Sequence, residues 1–353
     1  MRNNSIFIAV LFSCLSWAQD SLSDDKVNIN FSGYIDGYYA YDFRNSKQLT
    51  KQSFFYNHNR HNEFNINLAL VSAFVSYQNI YAKLSFHGGT YVDDNYINEN
   101  TKNINEAYLG IYLDSAKKSN IEFGIFSSYI GFESAITGTN LTLTRSILAE
   151  NSPYFMTGVK YNYKPSNKWM FSGMLSNGWQ RISKQDKRIA PAIGTQLIYK
   201  PLDNSTFNWS TFFGKEYYGT HLGMRYFSNL YWDKSWNSKW RTILGYDFGI
   251  QETNSKNNKF YHWMSPVLIA QYTINDKWQS AVRFEYYQDK ENIIITTSSP
   301  FDTKGYSLNF DYNINSKAKF RIEGRYLDSK EAIFYNNKCN NFSLTSSLSY
   351  EFN

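Results

Sequence analysis

The chain has 353 residues, of which 19 % are aromatic, and its mean hydropathy is -0.52. This combination argues against an ordinary soluble domain, which would collect its apolar residues into a continuous core. The 36 Lys and Arg residues and 30 Asp and Glu residues give a net charge of +6, but the two signs are interspersed. Without a basic block or a recognition motif, nucleic-acid binding is not expected.

The N-terminal segment predicts export. An apolar run over residues 6–15 is followed by Ser16-Trp17-Ala18, a small-x-small cleavage pattern. We therefore expect residues 1–18 to be a removed signal peptide and residues 19–353 to form one domain. The alternative is a lipoprotein anchored at Cys14, which is preceded by a poor lipobox.

The rest of the chain alternates apolar and polar residues with the two-residue period of a β-strand. The pattern runs from Val27 to Phe43 at one end and from Phe342 to Phe352 at the other. A tilted strand of roughly 9 to 11 residues crosses a bilayer. Sixteen such segments are predicted, with centres near Ile35, Leu68, Leu84, Leu109, Phe123, Val159, Phe171, Leu197, Trp209, Met224, Ile243, Leu268, Val282, Phe310, Ile322 and Leu348.

The predicted connections alternate in length. The short ones are residues 78–79, 164–168, 201–205, 233–238, 275–276 and 315–317. The long ones are residues 44–60, 93–102, 127–152, 179–190, 249–261, 288–302 and 328–340. This alternation predicts an all-β fold: a transmembrane antiparallel β-barrel of about sixteen strands in the bacterial outer membrane, with short periplasmic turns and long external loops. The alternative, a soluble β-sandwich, would need shorter strands and more continuous apolar burial.

Aromatic residues lie near many predicted strand ends. We interpret them as girdles at the two membrane interfaces, as in other outer-membrane barrels. The set is Tyr161, Tyr163, Trp169, Tyr231, Trp232, Trp240, Trp278, Tyr286 and Tyr287.

If apolar side chains face lipid, the charged residues between them face the lumen. The candidates for the lumen wall are Asp36, Glu63, Glu106, Lys160, Arg225, Arg241, Arg283, Glu285, Arg321, Glu323 and Arg325. The arginines concentrate in the C-terminal half, and such an array would set the ion preference of a pore. The alternative is that these side chains are solvated and pair with one another.

The third long connection, residues 127–152, combines apolar residues with the charged Glu133, Arg145 and Glu150. A surface loop gains little from so many apolar residues, whereas a loop packed inside a barrel can bury them. We therefore hypothesise an inward-folded loop that narrows the pore, with Glu133 and Glu150 facing the basic wall. The alternative is an external cap.

A polar cluster lies in the first long connection and consists of His58, Arg60 and His61. No third metal ligand follows from the spacing, so hydrogen bonding is expected and no metal is predicted. The sequence also contains no nucleophile elbow, phosphate loop or dinucleotide fingerprint. We expect neither a cofactor nor enzymatic activity.

Several long strings of mixed polarity resemble one known family, the putative β-barrel porin family of Bacteroidota outer membranes, over nearly the whole mature chain. The resemblance implies a porin-like barrel and transfers no catalytic residue or ligand. The strings that carry it are residues 32–43, 56–64, 131–135, 143–146, 149–154 and 177–180.

The expected function is passive diffusion of small hydrophilic solutes through a water-filled lumen. The expected partners are outer-membrane lipid, lipopolysaccharide and the barrel-assembly machinery. Such barrels usually end on an aromatic residue, whereas this chain ends on Asn353, so we expect Phe352 to serve as the assembly signal. Assembly as a homotrimer stays open, because no flat apolar wall stands out. The alternative function is a non-conducting barrel whose loops bind a surface partner or glycan; a barrel hydrolase comes third.

Overall fold

A computed structural model describes residues 26–44, 47–254 and 259–353 as a closed antiparallel barrel. The segment predicted to be a signal peptide lies outside the described residues. The strands are β1 (Asn28–Asp42), β2 (Phe64–Tyr77), β3 (Ile80–Gly88), β4 (Ile104–Tyr112), β5 (Ser119–Ser127), β6 (Phe155–Tyr163), β7 (Trp169–Ser176), β8 (Ala192–Leu202), β9 (Ser205–Tyr218), β10 (His221–Ser235), β11 (Trp240–Asn254), β12 (Lys259–Thr273), β13 (Trp278–Asp289), β14 (Phe301–Asn313), β15 (Ala318–Ser329) and β16 (Asn340–Phe352).

Each strand pairs with its neighbours in sequence, and β1 pairs with β16 to close the ring. Closure leaves no free sheet edge, which a bilayer requires because it offers no hydrogen-bond partner to an open edge. The predicted sixteen-stranded barrel is confirmed, and every predicted strand centre lies inside a strand.

The strands alternate between an exposed apolar face and a buried polar face. On β14, Leu308 and Phe310 are 48 % and 41 % exposed, whereas Asn309 and Asp311 between them are fully buried. The apolar face points outward toward lipid and the polar face points into the barrel. This arrangement inverts that of a soluble protein and accounts for the low mean hydropathy.

One long connection departs from the prediction. The segment 249–261 was expected to be a loop, but β11 extends to Asn254 and β12 begins at Lys259, with Gly249 opposite Trp263 and Gln251 opposite Tyr261. Only residues 219–220 join β9 to β10. Long strands with polar ends keep their ladder hydrogen bonds beyond the apolar band, so residue polarity alone placed the strand ends wrongly.

The end of the barrel that carries both termini also carries the short turns, which fixes it as the periplasmic end. A girdle of outward-facing aromatic residues surrounds it. Trp169 stacks on Tyr199 with ring centroids 4.2 Å apart, and Trp278 lies 4.8 Å from Tyr312. The predicted girdle is wrong for Tyr231 and Tyr287: Tyr231 lines an interior cavity and Tyr287 is buried.

The described parts of the connections contain two short helices, α1 (Thr90–Asn95) and α2 (Ile147–Glu150), and a 3₁₀ turn at Thr137–Thr139. In the described part of the chain no helix is long and apolar enough to span a bilayer.

Candidate functional site

The third external connection, residues 128–154 and hereafter L3, reaches the opposite wall of the barrel. It leaves β5 and returns at β6, yet it contacts β13 and β15, which lie six to eight positions away in the ring of sixteen. The backbone N–H of Thr144 donates to Oε2 of Glu323 (2.6 Å), and that of Ile147 donates to Oε2 of Glu285 (2.7 Å). L3 therefore crosses the lumen.

Three wall arginines bind the backbone oxygens of L3. They are Arg283, Arg321 and Arg325, and all three are buried. Their donor contacts are Arg283 Nη1 to the oxygen of Thr144 (2.5 Å), Arg321 Nη1 to that of Thr137 (2.7 Å) and Arg325 Nη1 to that of Arg145 (3.0 Å). A guanidinium presents five donors in a fixed fork, so each arginine can bind a carboxylate and L3 at once.

The same arginines are neutralised by acidic residues of the wall. The pairs are Arg283 with Glu323 (2.9 Å), Arg321 with Asp311 (2.7 Å) and Arg325 with Glu285 (2.6 Å). Breaking a buried pair by removing one partner costs about 3–5 kcal/mol, because the other charge is left uncompensated. These lumen-wall residues therefore hold L3 in place. Their positive charges are neutralised by carboxylates of the protein itself.

The described part of the first external connection, residues 47–63 and hereafter L1, is also anchored inside the barrel. Nε2 of His58 lies 2.8 Å from Oδ2 of Asp36, and both side chains are fully buried. The same carboxylate oxygen accepts a hydrogen bond from Oγ1 of Thr137 (3.0 Å). Asp36 on β1 thus ties L1 and L3 to one point of the wall.

The predicted polar cluster of L1 is dispersed over three partners. His58 binds Asp36, whereas Arg60 forms a two-pronged ion pair with Asp94, at 2.6 and 2.8 Å. Nδ1 of His61 accepts the backbone N–H of Asp42 (3.0 Å). No group of three or more potential metal ligands is found within the described ranges.

Glu150 joins L3 to L1. Its Oε2 accepts hydrogen bonds from the backbone N–H of Tyr56 (2.9 Å) and from the hydroxyl of Tyr154 (2.7 Å). The side chain is 2 % exposed. Its carboxylate therefore binds the two loops together and forms no ion pair with the arginines of the wall.

Glu133 and Arg145 lie deeper in the barrel. Oε2 of Glu133 accepts the backbone N–H of Ser146 (3.0 Å), and burial raises the pKa of Glu133 against the opposing charges of Arg283 and Arg145. The guanidinium of Arg145 lies 3.7 Å from the ring centroid of Tyr154, a cation–π contact.

Three cavities follow one side of L3. The external cavity, about 470 Å³, contains Glu150 and Ser152 in its wall, and the middle cavity, about 300 Å³, contains Glu133, Arg145 and Tyr154. The periplasmic cavity, about 480 Å³, shares Ser127, Ser128 and Gly131 with the middle one. The hydrogen bond between Tyr154 and Glu150 lies between the first two cavities.

The cavities differ in charge. The external cavity is lined by Glu99, Glu150, Arg181 and Arg225, which nearly balance, whereas the periplasmic cavity has four lysines and no acidic residue in its lining. These lysines are Lys117, Lys118, Lys160 and Lys164. Sequence reasoning named only Lys160 as a site residue and placed Lys164 in a short turn. It missed Lys117 and Lys118 because the turn at residues 113–118, between β4 and β5, went unrecognised; the sequence Asp-Ser-Ala-Lys-Lys at residues 114–118 was an available signal.

The remaining lumen-wall candidates occupy separate positions. Glu106 pairs with Lys83, Lys160 with Glu122 and Arg241 with Asp233, and Nε of Arg225 donates to Oε1 of Gln251 (2.9 Å). Glu63 lies outside the strands, in the residue before β2 begins, where it accepts a hydrogen bond from Asn65 (2.8 Å). Its side chain is not part of the strand wall, because the apolar period starts only at Phe64.

Two glycines of the wall accommodate aromatic residues of L3. A Cβ atom at Gly194 on β8 would lie 2.1 Å from the hydroxyl oxygen of Tyr129, and one at Gly245 on β11 would lie 2.5 Å from the ring of Phe132. Any side chain at these positions would displace L3.

Comparison with known proteins places the chain among outer-membrane porins. The family described as putative beta-barrel porin-2, OmpL-like, matches residues 28–352. No curated protein matches the sequence.

Several solved structures share the fold at low sequence identity. The outer membrane channel DcaP of Acinetobacter baumannii aligns with a TM-score of 0.63 and 11% identity, over 92% of this chain and 97% of that one. Salmonella typhi OmpF, solved with daunomycin, aligns with a TM-score of 0.64 and 10% identity, over 92% and 97%. An anion-selective porin from Comamonas acidovorans aligns with a TM-score of 0.61 and 8% identity, over 93% and 100%.

Proposed function

Because the chain belongs to the putative beta-barrel porin-2, OmpL-like family, we propose that small hydrophilic solutes cross its barrel passively beside L3. The chain is a porin-like channel of the bacterial outer membrane. The observation that carries the proposed route is the row of external, middle and periplasmic cavities along one side of L3.

The proposed constriction consists of Glu133, Arg145 and Glu150. Arg145 and Glu133 line the middle cavity, and Glu150 lines the external cavity beside Tyr154. Opposite charges at a narrow point orient polar solutes and exclude large apolar ones. L1 supports this point from above, since its backbone donates to Glu150.

The channel should prefer anions weakly. The arginines of the wall are matched by carboxylates, and so is Lys160 of the periplasmic cavity, which pairs with Glu122. Among the described residues, the other three lysines of this cavity, Lys117, Lys118 and Lys164, form no ion pair with a carboxylate. Their positive charge raises the local concentration of anions. The similarly folded porin from Comamonas acidovorans is described as anion-selective.

Planar-bilayer recording of the refolded mature protein tests the proposed function. We expect stable current steps and, under a salt gradient, a reversal potential of the sign that anion preference requires. A barrel that inserts and shifts mobility on heating but carries no current would instead support the alternative, a non-conducting barrel that binds a surface partner or glycan. The observation that favours this alternative is the burial of L1 and L3 inside the lumen, where they occupy part of the space available to solutes.

We propose no enzymatic role, because the family to which the chain belongs is described as porins. Insertion by the barrel-assembly machinery and contact of the external rim with lipopolysaccharide are further parts of the proposal. The molar mass of the detergent-extracted complex tests assembly as a homotrimer: a trimer has three times the mass of one barrel.

A further inference from the structure

The middle cavity contains two buried groups of opposite charge with unused hydrogen-bonding capacity. Arg145 is 3 % exposed and Glu133 is 8 % exposed. Within the described residues, Nε and Nη1 of Arg145 and Oε1 of Glu133 have no hydrogen-bond partner. Native proteins pair nearly all such atoms with protein groups, water or a ligand. Because Arg145 and Glu133 line the same cavity, a solute bound there could pair with both groups.

Each group is held firmly on its other side. Oε2 of Glu133 accepts both the N–H and the hydroxyl of Ser146, at 3.0 and 2.5 Å. The guanidinium of Arg145 packs on the ring of Tyr154, and the backbone oxygen of Arg145 accepts a hydrogen bond from Arg325. The two groups are therefore positioned in advance, which lowers the entropic cost of binding a solute.

The free atoms are two cationic donors and one carboxylate acceptor. A simple carboxylate could bind Arg145 but would be repelled by the acceptor of Glu133, and a simple ammonium ion would meet the reverse problem. A solute that bears both a carboxylate and an ammonium group satisfies both residues. The opposite charges therefore select for a zwitterion.

The remaining walls select for an apolar body. Leu68, Ile130, Phe132 and Tyr231 line the same cavity, whose volume is about 300 Å³. Burial of an apolar side chain against such walls adds binding free energy in proportion to the area removed from water. The cavity is therefore suited to a small zwitterion with one apolar or aromatic side chain.

We propose that the middle cavity is a solute-binding site for free α-amino acids with apolar side chains, with Arg145 binding the carboxylate and Glu133 the ammonium group. This inference rests on the proposed function, because the cavity lies on the proposed route. The shared residues Ser127, Ser128 and Gly131 provide the exit toward the periplasmic cavity.

The test compares three solutes on the refolded, full-length mature barrel. Phenylalanine carries both charges, N-acetylphenylalanine carries only the carboxylate and phenylalanine amide carries only the ammonium group. Titration calorimetry in detergent should give phenylalanine an affinity at least tenfold higher than either analogue. In bilayers, phenylalanine should interrupt the current for correspondingly longer times. Equal affinities, or tighter binding of the acetylated compound, would overturn the zwitterion site.

Variants locate the site. Glu133→Gln keeps an oxygen for Ser146, and Arg145→Gln removes the cation; each should lower phenylalanine affinity about tenfold while the variant still migrates as a folded barrel. Arg188→Gln is the matched control, since its side chain is 75% exposed in another external connection and should leave the affinity unchanged. Calorimetry separates the two proposals. Current without phenylalanine preference would overturn the binding site alone, whereas preference without current would overturn the pore alone.

Discussion

The carboxylate of Glu323 on β15 accepts two hydrogen bonds from Thr144 of L3, from its backbone N–H at 2.6 Å and from its hydroxyl at 2.7 Å. The two residues are 179 positions apart in the sequence. Their contact fixes the far end of a loop that begins on the opposite side of the barrel. The width of the channel therefore depends on a small number of buried polar contacts.

Replacement of Glu323 should loosen L3. In Glu323→Gln the carboxylate that binds Arg283 and Thr144 is lost, and loss of one partner of a buried ion pair costs about 3–5 kcal/mol. We expect a larger or noisier single-channel conductance and a lower temperature for the heat-induced shift in gel mobility. Lys102→Gln is the control, because its ion pair with Asp93 is exposed and contributes at most about 1 kcal/mol. Unchanged conductance of Glu323→Gln would refute this role of the wall.

Neutralising the acidic residues of the proposed constriction should change ion selectivity. The double variant Glu133→Gln, Glu150→Gln removes two negative charges from the route while keeping side-chain size. We expect the reversal potential under a salt gradient to move further toward anion preference. Glu331→Gln, an exposed residue between β15 and β16, should leave the potential unchanged. If the double variant behaves like this control, Glu133 and Glu150 do not face the ion path.

Lys51 should make barrel stability depend on alkaline pH. Burial lowers the pKa of this lysine from 10.5 to about 8 in the folded protein. Between these values the unfolded chain holds a proton that the folded protein has released, so folding stability should rise as the pH increases from about 8 to 10.5. The temperature of heat-induced unfolding at pH 8 and pH 10 measures this contribution. Lys51→Met should reduce the increase, whereas the exposed Lys338→Met should not; equal increases in all three proteins would contradict the assignment.

A side chain at Gly245 should displace L3. A Cβ atom there would lie 2.5 Å from the ring of Phe132 and 3.0 Å from Val267. We expect Gly245→Ala to alter the conductance and to lower the unfolding temperature, and the additional change Phe132→Ala to restore much of both. Gly173→Ala on β7 is the matched control, since no atom lies within 4 Å of its added Cβ. A Gly245→Ala barrel with normal conductance would show that Phe132 does not shape the channel.

Phe352 should promote assembly of the barrel. Its ring lies over Gly33 on β1, at the seam that closes the barrel, and its centroid is 6.0 Å from that of Tyr350. We expect Phe352→Ala to lower the amount of folded barrel in the outer membrane. Phe310→Ala is the control, because both side chains are 41% exposed on the outer face and only Phe352 is near the terminus. An equal loss in the two variants would indicate general loss of lipid contact instead of a terminal signal.

The strands could be predicted from the sequence because their pattern is local. A strand that faces lipid on one side and polar groups on the other must alternate every two residues, so Leu308 and Asn309 already show which way each points. The same pattern marks the short turns at the periplasmic end except the turn at residues 113–118. It could not mark where β11 ends and β12 begins, since hydrogen-bonded strands continue past the apolar band.

The partners inside the barrel could not be predicted, because they depend on closure of the ring. Alternation indicated that Arg283 and Arg325 face inward, but not that they bind the backbone of L3, more than 100 residues away. It also gave no sign that Glu150 would bind L1 while Glu133 and Arg145 kept free atoms in one cavity. The local sequence thus determines the number of strands and the side of the barrel to which each side chain points. The shape of the channel depends instead on contacts between residues that only a closed sixteen-stranded barrel brings together.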